Sequence, residues 1–217
     1  MTIAHTAGLP IVLSLLFLSF IVAELLYKVK VPAIITRKVV HIGCGVVAAM
    51  LPLFVSLSTT VYIGIGFSLL LFFTKRAHFL GSIHSAHEDS AGAILFVPSV
   101  TLCAILFWPI NPLIFQGACL VLALADGLNS IVGAYLGKHL FSITGPKTLE
   151  GSIAFFFITT IVLSGILFAH GTIAEPAMLF YIFASSLILA CVEALFGKGW
   201  DNVFVPLAAG AILFFAL

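Results

Sequence analysis

Between Ala125 and Ser152 the chain reads ADGLNSIVGAYLGKHLFSITGPKTLEGS, and this stretch holds the residues best suited to chemistry. Asp126 interrupts a long apolar run in a chain with only 8% charged residues. A carboxylate at membrane depth costs about 3 kcal/mol on insertion scales and marks a functional site by default. Asn129 lies three residues on, so on a helix it shares a face with Asp126, and Gly133 and Gly137 continue that face at intervals of four. Glycines at this spacing keep a groove open, and they also form the small-residue motif by which membrane helices pack. Lys138 and Lys147 flank a short loop with a Gly145-Pro146 turn signal. Thr148, Glu150 and Gly151 then open the next apolar run. A helix N-terminus with free N–H groups, a threonine and two lysines suits phosphate. Nearby carboxylates suit a magnesium ion bridging to phosphate oxygens. Glu150 also complements the positive end of its own helix.

Other polar residues stand in comparable positions. Arg37, Lys38 and His41 are spaced to converge on one helix face, with His41 a full turn inside an apolar run; the plainer alternative is snorkelling cations at an interface. Glu193 lies near the end of a later apolar run, and Asp201-Asn202 just before the last one, where either a helix cap or a metal site is expected. Glu24 is expected to pair with Lys28 one turn on. His84, His87, Glu88 and Asp89 read as a wet loop rather than a metal cluster. Gly133-Ala-Tyr-Leu-Gly137-Lys138-His139 is one residue short of a Walker A loop and lacks its Ser or Thr, and Gly64-x-Gly66 lacks a third glycine and a strand. Cys44, Cys103, Cys119 and Cys191 form no C-x-x-C pair and read as small buried hydrophobes.

The elements that must position these residues are membrane helices. The 217 residues are 62% hydrophobic, with a mean hydropathy of +1.29. That is far more apolar than a soluble domain. Nothing suggests a β-barrel, because the runs are continuous and do not alternate. The expected fold is all-α, one polytopic domain over residues 1–217. About eight transmembrane segments (seven to nine) are expected near 8–27, 39–55, 59–74, 92–109, 113–137, 151–169, 176–196 and 203–217. No cation precedes the first run, so it is not read as a secretory signal. All nine Lys and Arg residues fall on one side of this arrangement. By the positive-inside rule that side is cytoplasmic, and both termini face out. A net charge of +1 offers no face for nucleic acid. Twelve residues separate Asp126 from Lys138, about 18 Å of straight helix. Asp126 is thus expected near the bilayer midplane, which requires a break near Gly127 or Gly133, or a water-filled cavity.

Taken together, Arg37-Lys38-x-x-His41, Ala125-Asp126-Gly127 with Gly133 and Gly137-Lys138, Lys147-Thr148-x-Glu150-Gly151-Ser152, Glu193 and Asp201-Asn202 resemble the CTP-dependent polyprenol kinase family, which includes dolichol, phytol and farnesol kinases and a CTP-dependent diacylglycerol kinase. The resemblance runs from about residue 37 to the end. It implies a multi-pass protein of a prokaryotic cytoplasmic membrane or an organelle membrane. It further implies a lipid alcohol phosphorylated by CTP with Mg²⁺ at the cytoplasmic face, and an active site lined by the matching polar residues.

On chemical grounds Asp126, with Glu150 or Asp201, is expected to hold Mg²⁺. Lys147 and Lys138 are expected to bind phosphates, with Arg37 and Lys38 assisting. Thr148, Asn129 and Asn202 are expected to orient nucleotide or metal, and Asp126, Glu193 and His41 are alternatives for the general base. Two other functions compete: a CTP:phosphatidate cytidylyltransferase, and a secondary transporter with Asp126 as its ion site. The identity of the alcohol and the oligomeric state are not readable from the residues.

Overall fold

A chain that buries this much apolar sequence must satisfy its backbone hydrogen bonds within each segment, and helices do so. The computed structural model describes residues 3–77, 80, 82–83, 91–142, 146–172 and 176–217. The helices are α1 (Ile3–Lys28), α2 (Ala33–Phe54), α3 (Leu57–Arg76), α4 (Gly92–Phe107), α5 (Pro112–Leu120), α6 (Gly127–Leu136), α7 (Leu149–His170), α8 (Pro176–Leu195) and α9 (Asp201–Ala216). A π-helical turn, Val121–Asp126, joins α5 to α6 in one continuous rod. The described residues thus form eight rods, each over an apolar run expected from the sequence. Six are long and apolar enough to cross a membrane, the α5–α6 rod among them; α4 and α9 are shorter. Exposed Phe180, Phe215, Ile161 and Phe168 coat the outer surface, as lipid contact requires.

Local signals explain the boundaries. The Ser56 hydroxyl caps α3 by accepting from the Thr59 N–H, and Asn111 caps α5 ahead of Pro112. Lys75 and Arg76 in the last turn of α3 complement its dipole. Thr148 caps α7 by accepting from the Gly151 N–H at 3.1 Å. Gly171, with φ of 84°, ends that helix in the left-handed conformation that glycine adopts most readily.

The α5–α6 rod is the centre of the molecule. Its Phe115, Cys119 and Leu122 join a core built from α1 to α4, while its Ile114, Ala118, Val121 and Ala125 join a second core shared with α7, α8 and α9. Outside the helices lies a small hairpin, β1 (Leu140–Ser142) antiparallel to β2 (Pro146–Thr148), in which Phe141 faces Lys147. The sequence placed a plain loop there; the hairpin forms because His139 and Leu149 also bond through O and N at 3.0 Å, closing its base.

Several expectations change. Glu24 reaches across to the Ser82 N–H at 3.3 Å, tying the end of α1 to the segment after α3. Asp201 stands inside α9, whose cap residue is Trp200, and Asp201 Oδ1 accepts from the Asn202 N–H. Cys44, Cys103 and Cys119 are buried, but Cys191 faces outward. His84, His87, Glu88, Asp89 and Gly145 lie outside the described residues.

Glycine determines two close approaches. Gly199, with φ of 94°, lets the turn before α9 abut α4: a Cβ there would lie 2.2 Å from the Gly92 nitrogen. Gly137 lets α6 meet the start of α7, where a Cβ would come within 2.5 Å of Thr148 Cγ2 and 2.2 Å of the Gly133 carbonyl oxygen. The glycine face of α6 is therefore a packing surface against α7. Gly137→Val should lower stability by about 1–3 kcal/mol, as overpacking does, read as a depressed midpoint of thermal unfolding in detergent; an unchanged midpoint would contradict this packing.

Candidate active site

The site grows from Asp126, the last residue of the π turn. A π turn carries one more residue than an α turn and leaves carbonyls available to outside donors. Here His41 of α2 donates through Nε2 to the Leu122 carbonyl at 2.8 Å, which assigns the proton to that nitrogen. The same nitrogen lies 3.3 Å from Asp126 Oδ2, and the imidazole packs against the Phe96 ring with centroids 4.6 Å apart. Lys38, one turn earlier on α2, donates to both the Asp126 carboxylate and its carbonyl, each at 2.9 Å. Gly127 permits this closeness, since a Cβ there would strike Ile42. Two features accompany Asp126 on this apolar rod. The rod departs from α geometry where it carries the carboxylate, and a cavity of about 880 Å³ reaches it.

A second pair sits across the cavity. Lys147 of β2 donates to the Glu193 carbonyl at 2.9 Å, to Glu193 Oε1 at 2.5 Å and to Asp201 Oδ2 at 3.2 Å. Asn129 Nδ2 donates to the same Glu193 oxygen at 2.8 Å. Burial acts to lower the Lys147 pKa, but the Glu193 and Asp201 carboxylates outweigh it and hold it above the ordinary lysine value. Asn202 Nδ2 donates to the Gly92 carbonyl at 2.8 Å, anchoring α9 to α4 beside the site.

Asp126, Glu193 and Asp201 each offer a carboxylate oxygen, and the three lie within 4.8 Å of one another. Glu193 is 2% exposed, yet among the described residues its Oε2 has no hydrogen-bond partner. A buried carboxylate oxygen without a partner is costly, and an all-oxygen, all-anionic donor set is what a hard divalent cation such as Mg²⁺ prefers. The residues therefore fit such an ion.

The structure brings together Arg37, Lys38, His41, Asp126, Asn129, Gly133, Lys147, Thr148, Gly151, Glu193, Asp201 and Asn202, all of which line the one cavity. It does not bring Glu150 to the carboxylates. Glu150 instead accepts from the His139 ring at 2.7 Å and from its backbone N–H at 3.3 Å, bracing the base of the hairpin. Glu193 takes the place in the acidic cluster that the sequence offered to Glu150. The reason is helical phase: Glu150 and Gly151 are adjacent and point apart, and Gly151 is the one against α6. Lys138 is exposed, and neither it nor Gly137 lines the cavity. Ser130 was not anticipated. Its hydroxyl donates to the Asp126 carbonyl and meets Asn129 Oδ1, both at 3.1 Å; its place one turn after Asp126 was the available signal.

Lys38→Met leaves a buried carboxylate without its main partner and should cost about 3–5 kcal/mol. Adding Asp126→Asn should recover most of that loss. Chemical unfolding of the single and double variants measures the coupling, and simple additivity would contradict the pairing described here.

No family model matches the chain, and no solved structure matches it. Among curated proteins, it is 30% identical over 209 residues to a phytol kinase of Synechocystis sp., covering 88% of this chain and 83% of the relative. It is also 28% identical over 191 residues to an uncharacterized protein of Methanocaldococcus jannaschii, covering 82% of this chain and 92% of that one. The first similarity covers 88% of this chain and 83% of the relative, and by it the chain belongs to the phytol kinase family.

Proposed function

We propose that this membrane kinase transfers the γ-phosphate of CTP to a membrane isoprenoid alcohol, such as phytol, farnesol or a polyprenol, or to diacylglycerol, at the cytoplasmic face. The observation that carries the reading is the convergence of three carboxylates and two partly buried lysines on one wall of a largely apolar cavity. The similarity to a phytol kinase supports the acceptor class. CTP as donor rests on the sequence resemblance.

Phosphoryl transfer asks a protein for in-line positioning and charge neutralisation more than for covalent chemistry. Asp126, Glu193 and Asp201 would hold Mg²⁺, which supplies charge neutralisation on the phosphates when bound. Lys38 and Lys147, each bonded to the carboxylates beside it, are the cations placed to meet phosphate oxygens, with Arg37 on the same cavity wall. The acceptor oxygen bonds to the γ-phosphorus as the bridging P–O bond to CDP breaks, and the alcohol proton passes to a carboxylate. His41 is a poor base through Nε2, because that nitrogen already donates to Leu122. That leaves the cluster carboxylates of Asp126 and Glu193 as acceptors for the proton. Thr148 and Gly151 hold the start of α7 against α6, so that Lys147 is delivered from a braced hairpin.

The placement of the nine cations supports a cytoplasmic site with both termini outside. With Cys191 replaced by Ser, Lys138→Cys should react with a membrane-impermeant maleimide in inside-out vesicles and not in right-side-out ones; the reverse pattern inverts the topology.

Purified protein supplied with CTP, Mg²⁺ and a panel of alcohols should yield alkyl phosphate and CDP. EDTA should abolish turnover, and added Mg²⁺ should restore it. Release of pyrophosphate instead would identify a cytidylyltransferase, and solute flux without nucleotide consumption a transporter. Asp126→Asn should reduce kcat by at least 10³-fold, about 4 kcal/mol of barrier, while the protein inserts and purifies normally. Near-normal turnover in that variant would overturn the proposal.

A further inference from the structure

Lys38 and Lys147 are both bonded to site carboxylates, but they are held in different ways. Lys38 stands on α2, a membrane helix, whereas Lys147 stands on β2, one strand of a small hairpin. A two-stranded hairpin is marginal in water unless something else holds it. Its first strand supplies little apolar anchorage, since Leu140 is 74% exposed. The placement of Lys147 against Glu193 at 2.5 Å and Asp201 at 3.2 Å therefore depends on how the ends of the hairpin are fixed.

The end of β2 is fixed at Thr148. Its hydroxyl accepts from the Gly151 N–H, and it abuts the glycine face of α6, where a Cβ on Gly133 would lie 2.7 Å from Thr148 Oγ1. The start of β1 is tied down at His139. The His139 carbonyl accepts from the Leu149 N–H at 3.0 Å, its backbone N–H donates to Glu150 Oε2 at 3.3 Å, and its ring donates through Nδ1 to Glu150 Oε1 at 2.7 Å. One carboxylate thus clasps the backbone and the ring of a single residue and ties β1 to the first turn of α7. The register carries this restraint across the hairpin, with Leu140 opposite Thr148 and Phe141 opposite Lys147. The clasp is wet: the His139 side chain is 75% exposed and that of Glu150 24%. Pairs this exposed add little to overall stability. What a two-pronged contact fixes is geometry, and geometry is what phosphoryl transfer asks of the protein.

Resting on the kinase reading, we infer that Glu150 is a positioning residue for the transfer: by clasping His139 it sets, through the hairpin register, where Lys147 meets Glu193 and Asp201, and it touches neither metal nor phosphate itself. Glu150 does not line the cavity, in keeping with an action at one remove. Its charge also meets the positive end of α7. The two roles separate in Glu150→Gln, which loses the charge and keeps an acceptor oxygen for His139. They separate again in His139→Ala, which loses the ring contact and keeps the backbone one.

The test compares wild type, Glu150→Ala, Glu150→Gln, His139→Ala and Lys147→Met in detergent. Turnover is measured with CTP, Mg²⁺ and phytol, and stability by thermal unfolding. The setting of Lys147 is read separately, as its rate of acetylation by mass spectrometry relative to exposed Lys75. Glu150→Ala should lower kcat about 10–100-fold, as misplacing a group by about 1 Å does, while the unfolding midpoint stays within about 2 °C. Lys147, 15% exposed in its ion pairs, should acetylate several-fold faster in that variant. Glu150→Gln should recover most of both changes, and His139→Ala should cost less than Glu150→Ala. In the Lys147→Met background Glu150→Ala should cost no further turnover, because it acts only through that lysine. Equal losses in both backgrounds, a Glu150→Gln as slow as Glu150→Ala, an unfolding midpoint depressed enough to account for the lost turnover, or an unchanged Lys147 acetylation ratio would each overturn the inference. The acetylation ratio needs no turnover, so it decides alone where Lys147→Met is too slow to compare. A wild type that phosphorylates no alcohol would remove the kinase reading, while the same ratio still reports whether Glu150 sets Lys147.

Discussion

The polar site depends on compensating the Asp126 carboxylate where water is scarce. An isolated carboxylate there would cost far more than the fold has to spare. Lys38 meets it through both side chain and backbone, His41 closes in from the next turn of α2, and the carboxylate lines the cavity. The pair also orders the helices. Lys38 and His41 reach Asp126 only because Gly127 and Gly45 let α2 lie against the central rod, where a Cβ on Gly45 would come within 2.5 Å of the Ala123 Cβ. Electrostatics and packing are thus the same contact seen from two sides.

The charge pattern extends across the cavity. Lys147 bridges Glu193 and Asp201, so each lysine stands among acidic oxygens before any ligand arrives. Such an arrangement keeps the cations desolvated and aimed, which raises their value to an incoming phosphate. It also keeps three carboxylates close together without intolerable repulsion. A nucleotide–metal complex entering such a site would exchange one set of opposite charges for another, rather than meet bare charge of either sign.

The fold was largely legible from hydropathy, because long apolar runs in lipid have few alternatives to helices. The positions of Asp126, Glu193, Asp201, Lys38 and Lys147 as polar exceptions were legible for the same reason. What composition and spacing could not convey was phase. Whether Glu150 or Gly151 turns toward α6 depends on how α7 leaves the hairpin, a matter of a few ångströms set by Thr148 capping and glycine contact. Likewise the pairing of Glu24 with Ser82 rather than with its helical neighbour Lys28 joins residues 58 positions apart, which no local pattern announces. Asn202 could be read as a cap from its place before an apolar run; its bond to Gly92 spans more than a hundred residues and needed the assembled helices.

The π turn at Val121–Asp126 has a consequence for how this sequence tolerates change in length. An α-helix advances about 100° per residue, so the additional residue in that turn sets the rotational phase of α6 relative to α5. Removing one residue there would restore ordinary α geometry and swing either Asp126 or the two core faces of the rod by nearly a third of a revolution. Point substitutions in the turn alter local packing, but a single-residue deletion would act as a dephasing event, parting the carboxylate from Lys38 while leaving hydropathy, helix count and composition almost untouched.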